Sequence, residues 1–191
     1  MARIAVFASG NGTNFEALAE KFLNDKENQI VLLICDKEKA FVLERAKKFN
    51  IKYELVKYDK NDRLKAEKDI INLIKKYEIE IIFLAGFMRI LTSIILNEIK
   101  IPIINIHPSI LPAHKGVGAI EKAYNEGDAE TGISIHYVNE ELDGGELILQ
   151  KRIPLSKDKD LEYVENEVHK LEHKWYPFVA KELCDKLNKS K

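Results

Sequence analysis

An amide and an imidazole stand two residues apart in an apolar segment, and this pair could do chemistry. Asn105 and His107 lie in residues 101–108, Ile-Pro-Ile-Ile-Asn-Ile-His-Pro, whose β-branched residues and bounding prolines predict a short strand. Side chains two residues apart lie on the same face of a strand. A buried strand has no packing use for two polar groups on one face, so the pair indicates a site, unless both groups merely satisfy loop carbonyls.

A carboxylate further along the chain favours the functional interpretation. Asp143 stands in residues 141–145, Glu-Leu-Asp-Gly-Gly, a glycine-rich turn where the backbone can approach a ligand closely. An amide donor, an imidazole and a carboxylate together form a plausible apparatus for acyl transfer. The sequence therefore predicts that Asn105, His107 and Asp143 converge.

A second candidate site is the turn of residues 9–14, Ser-Gly-Asn-Gly-Thr-Asn, which follows an apolar run and precedes a helical pattern. Free N–H groups at a helix N-terminus favour a phosphate or a carboxylate. The turn has Gly10 and Gly12 of a dinucleotide fingerprint but Phe15 in place of the third glycine, and Asp36 mimics the acid that clamps a nicotinamide ribose. A nicotinamide site and a plain helix cap both remain open here.

Strands and helices alternate through the first hundred residues. Apolar runs predict strands at 3–8, 30–35 and 79–85, with a weaker strand at 52–56. The run 79–85 is apolar almost throughout, which is typical of a strand buried on both faces of a parallel sheet. Helical spacing is shown by Phe15, Leu18 and Phe22, by Phe41, Leu43 and Ala46, and by Leu64, Ile70, Ile71, Ile74 and Tyr77.

This alternation predicts an α/β fold with a doubly wound, mostly parallel sheet. Ligands of such sheets bind at the carboxyl ends of the strands. Residues 9–14, 86–91 and 105–107 should therefore share one edge. The apolar side chains of 86–91 are interpreted either as ordinary core or as the wall of a pocket for a flat aromatic ligand.

The C-terminal part of the sequence predicts antiparallel strands followed by a helix. Residues 131–138 and 147–153 form an antiparallel strand pair joined through the turn at Asp143. His136 lies on the first of these strands and is assigned a structural role, because that strand looks half exposed. A helix follows over 160–184, with a kink expected at Pro177.

The composition fits one domain, residues 1–191, with a sizeable core. Of the residues 46% are hydrophobic, and the formal charge of −1 is spread along the chain, which argues against a nucleic-acid surface. No segment has membrane-spanning length and the N-terminal run resembles a strand more than a signal peptide, so a cytoplasmic protein is expected. Cys35 and Cys184 are predicted to be reduced core residues, and the tail 186–191 to be solvated.

Four stretches together resemble the folate-dependent formyltransferase family, Rossmann-like enzymes, and specifically its glycinamide ribonucleotide branch in purine biosynthesis. The resemblance is colinear and covers essentially the whole chain. The Ser-Gly-x-Gly-Thr-Asn turn points to that branch, and the other motifs are shared more widely. The stretches are Phe-Ala-Ser-Gly-Asn-Gly-Thr-Asn at 7–14, Leu-Ala-Gly-Phe-Met-Arg-Ile-Leu at 84–91, Asn-Ile-His-Pro-Ser-Ile-Leu-Pro at 105–112 and Leu-Asp-Gly-Gly at 142–145.

The resemblance implies a division of the site, with the N-terminal half binding the ribonucleotide and the C-terminal half the folate. The ribonucleotide phosphate would be held by the backbone of Asn11, Gly12, Thr13 and Asn14, with Glu172 as a further ribonucleotide contact. The cosubstrate 10-formyltetrahydrofolate would contact Arg63, Met88, Arg89, Ile90 and Leu91 on one side, and Asn105, Glu140, Glu141, Leu142 and Asp143 on the other. The chain departs from the family pattern at Ala113, His114 and Gly118, which concerns loop contacts and not the catalytic set.

The implied reaction needs these residue types. The amine of the ribonucleotide would attack the formyl carbon, and Asn105 with a cationic His107 would stabilise the oxyanion, each donor contributing about 3 kcal/mol. Asp143 would hold the imidazole ring and favour its protonated form, and a water would relay the proton. Neither a metal nor a nucleophilic residue is required.

Two other members of the family and one dehydrogenase are alternatives. A methionyl-tRNA formyltransferase should carry an additional basic C-terminal domain, which 191 residues do not accommodate. A formyltetrahydrofolate hydrolase should carry an extra N-terminal domain, whereas Met1 here stands almost on the first predicted strand. A dehydrogenase that binds a nicotinamide dinucleotide would use Gly10, Gly12 and Asp36, but it leaves Asn105 and His107 unexplained. The expected partners are small molecules, without nucleic acid or membrane, and the protein is expected to be a monomer or a homodimer.

Overall fold

A computed structural model describes residues 1–59, 62–156 and 158–191 of the chain. Six helices and seven strands alternate within these ranges. In chain order they are β1 (Ala2–Ala8), α1 (Thr13–Phe22), β2 (Asn28–Cys35), α2 (Val42–Lys48), β3 (Tyr53–Leu55), α3 (Arg63–Lys76), β4 (Ile81–Leu84), α4 (Ser93–Glu98), β5 (Ile103–His107), α5 (Ala119–Glu126), β6 (Glu130–Tyr137), β7 (Leu147–Pro154) and α6 (Leu161–Lys189).

The strands form one sheet in the order β3-β2-β1-β4-β5-β6-β7. The first five strands in this order run parallel, and β6 and β7 are antiparallel to their neighbours. The strands β1 and β4 lie in the middle and are buried on both faces, as their continuous apolar runs predicted. The predicted α/β fold with a mostly parallel sheet is confirmed, together with its antiparallel C-terminal pair.

Helices cover both faces of the sheet. One core cluster lies under α1, α2, α5 and α6, and a second cluster on the opposite face lies under α3 and α4. Phe15, Leu18 and Phe22 of α1 are buried as predicted, whereas Phe41, assigned to a buried helix face, is 57% exposed. The neighbouring Val42 is buried instead, because α2 begins one residue later and points that side chain at the turn before α1.

The burial of β6 differs from the prediction. Every residue of β6 from Thr131 to His136 is buried, so the strand is not half exposed. Helix α6 covers one face of β6, and β7 pairs along its edge. The hydroxyl of Ser134 donates to the Ser109 carbonyl and accepts the N–H of Leu111. An alternating pattern had suggested a solvated face, but the polar side chains on it are buried with partners.

The C-terminal segment is also better ordered than predicted. Helix α6 continues through Pro177 as one element, and Asn188 donates to the carbonyl of Glu27 at 3.0 Å. Lys191 forms an ion pair with Glu80 at 2.6 Å. The lysines of the tail 186–191 are exposed, as predicted, and these contacts connect the tail to the start of β2 and to Glu80.

Two further predictions concern redox state and membranes. Cys35 and Cys184 are buried free cysteines, as predicted. Within the described ranges, no helix combines the length and apolar character that a bilayer crossing requires.

Asp25 connects the start of β2 to α6, and we predict that this connection weakens in acid. Its carboxylate accepts the N–H of Asn28 at 3.1 Å and pairs with Lys181 at 2.8 Å. Burial alone would raise the pKa of Asp25, but Lys181 and neighbouring N–H groups lower it to about 2. Because the folded-state pKa lies below the ordinary 3.8, the stabilisation is present above about pH 4 and is lost as pH falls toward 2.

The variant Asp25→Asn tests this connection by urea unfolding at several pH values. We expect it to lower the free energy of unfolding by about 1 kcal/mol near neutral pH, a value reduced for solvent screening, and by progressively less toward pH 3. The control Asp69→Asn removes an exposed carboxylate that pairs with Lys65 on the same helix and should change little. A loss for Asp25→Asn that is the same at all pH values would contradict the prediction.

Candidate active site

Asn105, His107 and Asp143 converge at the carboxyl end of β5. Strand β5 projects Asn105 and His107 to one side, and the turn after β6 brings Asp143 to the same place. The amide nitrogen of Asn105 donates to Oδ1 of Asp143 at 3.3 Å, and Nδ1 of His107 lies 3.5 Å from Oδ2. The sequence-based prediction of convergence therefore agrees with the geometry.

The ring of His107 lies between two acceptors. Its Nε2 is 2.8 Å from the carbonyl oxygen of His114, and since a carbonyl only accepts, Nε2 is the donor. The other ring nitrogen faces the Asp143 carboxylate. A doubly protonated ring satisfies both neighbours, so the surroundings match an imidazolium.

Asp143 is surrounded by polar groups of the neighbouring segments. The N–H of Gly116 donates to Oδ2 at 2.8 Å, and Nε2 of His136 lies 3.7 Å from Oδ1. Burial alone would raise the pKa of Asp143, but His136, the Gly116 N–H and His107 lower it below its ordinary value. The residue also adopts a left-handed backbone conformation with φ of 48°, a strained arrangement of the kind that clusters at functional sites.

The turn that carries Asp143 depends on its second glycine. A Cβ on Gly145 would lie 1.7 Å from the carbonyl oxygen of Tyr137, so the turn closes against β6 only with glycine. This close approach fixes the carboxylate beside β5. The glycine-rich character of the sequence thus serves packing of the turn against the sheet.

His136 is the residue that sequence reasoning missed. It was assigned a structural role, yet its Nε2 lies 3.2 Å from the Asn105 amide nitrogen. Its Nδ1 donates to the carbonyl of Tyr137 at 2.8 Å, which leaves Nε2 as the acceptor facing Asn105 in the neutral ring. The register between β5 and β6 would have identified this contact, because His136 is the cross-strand neighbour of Asn105.

The turn between β1 and α1 has the geometry of an anion cradle. Gly12 caps α1 with φ of 81°, and a Cβ there would lie 2.4 Å from Cγ2 of Val42. Oδ1 of Asn14 is buried without a hydrogen-bond partner. Arg45 holds the backbone carbonyl of Asn11 at 2.9 Å and its side-chain oxygen at 2.8 Å, so positive charge lies beside the turn.

A cavity of about 650 Å³ opens at this turn, and its lining includes Lys37 and Lys39. It does not include Asn105, His107 or Asp143. The cavity therefore extends the predicted anion site and lies beside the catalytic set, not over it.

The segment 86–91 meets the turn directly, and helix α6 reaches the neighbouring end of β4. Oγ of Ser9 accepts the N–H of Met88 at 2.8 Å, so residues 9–14 and 86–91 share one edge with 105–107, as predicted. On the helical side, Tyr176 places its hydroxyl 2.8 Å from the Leu84 carbonyl oxygen, at the end of β4. Glu172 lies one turn earlier on α6, buried, and accepts from Nδ1 of His169 at 2.8 Å.

Apolar side chains on 86–91 divide between core and surface. Phe87 and Leu91 are buried in the core, whereas Met88 and Ile90 are 58% and 56% exposed. The core interpretation therefore holds for Phe87 and Leu91, and the pocket wall stays a prediction for Met88 and Ile90. Arg89, in the same segment, pairs with Asp36 at 2.7 Å.

Arg63 stands at the start of α3 and donates to the carbonyl of Ile90. Across the site, Glu141 pairs with Lys115 at 2.6 Å, which ties the loop after β6 to the loop after β5. Glu140 is exposed, and Leu142 is 48% exposed. The predicted folate residues thus lie on two sides of the Asn105 and His107 pair.

One departure from the family pattern has a clear structural role. His114 has a φ of 53° and pairs through Nε2 with Asp128 at 2.6 Å. Its carbonyl oxygen accepts a hydrogen bond from Nε2 of His107. In the described part of the chain, three side chains that could ligate a metal gather within 4.8 Å only at His114, Glu126 and Asp128.

Comparison with known proteins agrees with this geometry. The Formyl transferase family profile matches residues 2–180. The chain is 43% identical to phosphoribosylglycinamide formyltransferase of Bacillus subtilis (strain 168) over 187 residues, which is 96% of this chain and 95% of that protein.

Solved structures give the same result. The chain matches glycinamide ribonucleotide transformylase 1 from Geobacillus kaustophilus with a TM-score of 0.91 and 39% identity, covering 96% of this chain and 99% of that one. The match to phosphoribosylglycinamide formyltransferase from Streptococcus pneumoniae TIGR4 has a TM-score of 0.88 and 35% identity, with 96% and 99% covered. By sequence, fold and site geometry, this chain belongs to the formyl transferase family.

Proposed function

We propose that this chain is a phosphoribosylglycinamide formyltransferase, which transfers the formyl group of 10-formyltetrahydrofolate to the amine of glycinamide ribonucleotide in purine biosynthesis. The observation that carries the proposal is the convergence of Asn105, His107 and Asp143 between an anion cradle and an exposed apolar segment. The names of the relatives support phosphoribosylglycinamide as the formyl acceptor.

The first chemical step is attack of the amine on the formyl carbon. The carbonyl π electrons move to oxygen, and the tetrahedral intermediate carries a negative charge there. An amide N–H and an imidazolium aimed at that oxygen stabilise it, and removing one such donor typically costs about 3 kcal/mol. Asn105 and His107 supply these donors.

The substrate oxygen must compete for these donors. The amide nitrogen of Asn105 lies 3.3 Å from Asp143 and 3.2 Å from His136, and Nε2 of His107 bonds the His114 carbonyl. A formyl oxygen would replace one of these acceptors. Exchange of the neutral acceptors, the His136 ring nitrogen and the His114 carbonyl, for an oxyanion is favourable, because hydrogen bonds to an ionised acceptor are stronger than those to a neutral one.

The second step breaks the bond between the formyl carbon and the folate nitrogen. The attacking amine loses a proton and the leaving nitrogen gains one. The overall reaction therefore balances without any change of oxidation state. A water held near Asp143 would relay this proton, and the carboxylate keeps His107 oriented and cationic. Asp143 suits that role because its lowered pKa keeps it ionised at neutral pH.

The binding residues follow the same division. The ribonucleotide phosphate would occupy the backbone N–H groups of residues 11–14 at the start of α1, near Arg45, with Glu172 on the other side. The folate would lie against Met88 and Ile90, and against the loop 140–143. Arg63 and Arg89 would provide cations for its anionic end. We expect a cytoplasmic reaction of small molecules that needs no metal.

The dehydrogenase alternative is disfavoured by two contacts. The Asp36 carboxylate, which would clamp a nicotinamide ribose, is fully buried against Arg89. Phe15, at the position of the third glycine, is buried in the core and leaves the turn without the close packing of a dinucleotide fingerprint.

The purified protein should form tetrahydrofolate and formylated ribonucleotide only when 10-formyltetrahydrofolate and glycinamide ribonucleotide are both present. Thermal-shift measurements should show stabilisation by a folate analogue and by the ribonucleotide but not by NADH, since a ligand at a hundred times its Kd adds about 2.7 kcal/mol. Formate release without the ribonucleotide would indicate a hydrolase. Stabilisation by NADH alone would contradict the proposal.

A further inference from the structure

We propose that Glu67 is a positioning residue for the folate side of the site. It holds Arg63 and the segment 88–92 in their observed places without being placed to contact a substrate itself. This inference rests on the proposed function, because the folate is the ligand that these groups would receive.

Glu67 is an acid buried among donors. It lies on the inner face of α3 and is 1% exposed. Oε1 accepts the N–H of Thr92 at 3.2 Å and Nε of Arg63 at 3.3 Å, and Oε2 accepts the hydroxyl of Thr92. A carboxylate so enclosed is stable only while these partners remain.

Thr92 links Glu67 to the segment 86–91, whose exposed side chains would contact the folate. The residue lies two positions after Ile90, and it caps α4 by accepting the N–H of Ile94 at 3.3 Å. The other end of the segment is fixed where the N–H of Met88 donates to Oγ of Ser9. Glu67 therefore supplies one of the anchors that hold the exposed apolar side chains in place.

Arg63 gives the second link. Its guanidinium bonds Glu67 through Nε and the carbonyl of Ile90 through Nη2. The charge of Glu67 restrains, together with the Ile90 carbonyl, a side chain that is 45% exposed. One buried carboxylate thus fixes both the apolar wall and a cation beside it.

The amide of a glutamine cannot replace this carboxylate. All three neighbouring groups donate, and glutamine has one acceptor oxygen and adds two N–H donors. In Glu67→Gln at least one buried donor loses its partner and the attraction to Arg63 weakens. The segment 88–92 should then shift, while β5 and the catalytic groups on it stay in place.

The test is the steady-state kinetics of Glu67→Gln with each substrate varied in turn. We expect KM for 10-formyltetrahydrofolate to rise about tenfold, because an unsatisfied buried donor costs about 1 to 3 kcal/mol, and kcat and KM for the ribonucleotide to change less than about threefold. The control Glu80→Gln removes a carboxylate that accepts the Arg3 N–H at 3.0 Å, at the opposite edge of the sheet. It should leave all three parameters within about twofold.

Binding of a nonreactive folate analogue separates this inference from the proposed function. Its Kd should also rise about tenfold in Glu67→Gln, whether or not the wild type transfers a formyl group. If Glu67→Gln does not fold, Thr92→Val removes one donor while keeping its shape, and should raise the folate KM about threefold. An unchanged folate KM and analogue Kd, or equal rises for both substrates, would overturn the inference.

Discussion

Replacing His107 with alanine should lower kcat by about two to four powers of ten and leave the fold intact. The imidazole is the group with donors toward both Asp143 and the oxygen of His114, and alanine removes both. The loss falls on kcat because an oxyanion forms only after both substrates have bound. Steady-state formyl transfer by the purified variant measures it.

Two controls accompany His107→Ala. The thermal midpoint and near-ultraviolet circular dichroism should stay close to those of the wild type, because the ring lies at the end of β5 and not in either core cluster. KM for the ribonucleotide should change little. A folded variant with a rate near that of the wild type would remove His107 from the mechanism.

Replacing Asp143 with asparagine should produce a loss of kcat of similar size, about two to four powers of ten. The N–H of Gly116 and the amide of Asn105 both donate to this carboxylate, and the asparagine amide would add two N–H donors where acceptors are needed. The charge that orients the His107 ring also disappears. The change is isosteric, so packing of the turn is kept.

The variant Asp128→Asn is a matched comparison for Asp143→Asn. It also removes a carboxylate that faces a histidine, but this histidine is His114, whose side chain points away from the reacting groups. We expect a much smaller loss of kcat, less than about tenfold. Equal losses in both variants would mean that loop placement, and not the charge beside His107, determines the rate.

The sheet could be predicted because its determinants are local. Strands buried on both faces show as continuous apolar runs, and β1 and β4 had that pattern. The pairing of Asn105 with His107 also followed from the two-residue repeat of a strand. Their position at the carboxyl edge followed from the topology of α/β sheets.

The missed features depend on contacts between distant parts of the chain. His136 looked peripheral because its partners, Asn105 and Asp143, are brought beside it only by strand register and by the turn. The N–H of Gly116 reaches Asp143 through a loop whose path no local pattern specifies. Such contacts follow from tertiary packing and not from residue spacing.

Contacts of charged residues were missed for a similar reason. Lys191 belongs to a basic tail that is exposed as its composition predicts, yet its ammonium group pairs with Glu80 at the amino edge of the sheet. Glu67 drew no attention, because a single acid in an amphipathic helix is usually exposed. Only the folded structure places Arg63 and Thr92 around it.

A crystal structure with glycinamide ribonucleotide and a folate analogue that carries a stable carbonyl at the formyl position tests the proposed chemistry most directly. We predict that this carbonyl oxygen lies about 3 Å from the Asn105 amide nitrogen and from a ring nitrogen of His107, with the phosphate on the backbone of residues 11–14. A bound analogue whose carbonyl is out of hydrogen-bond reach of both side chains would contradict the assignment of these residues to formyl transfer.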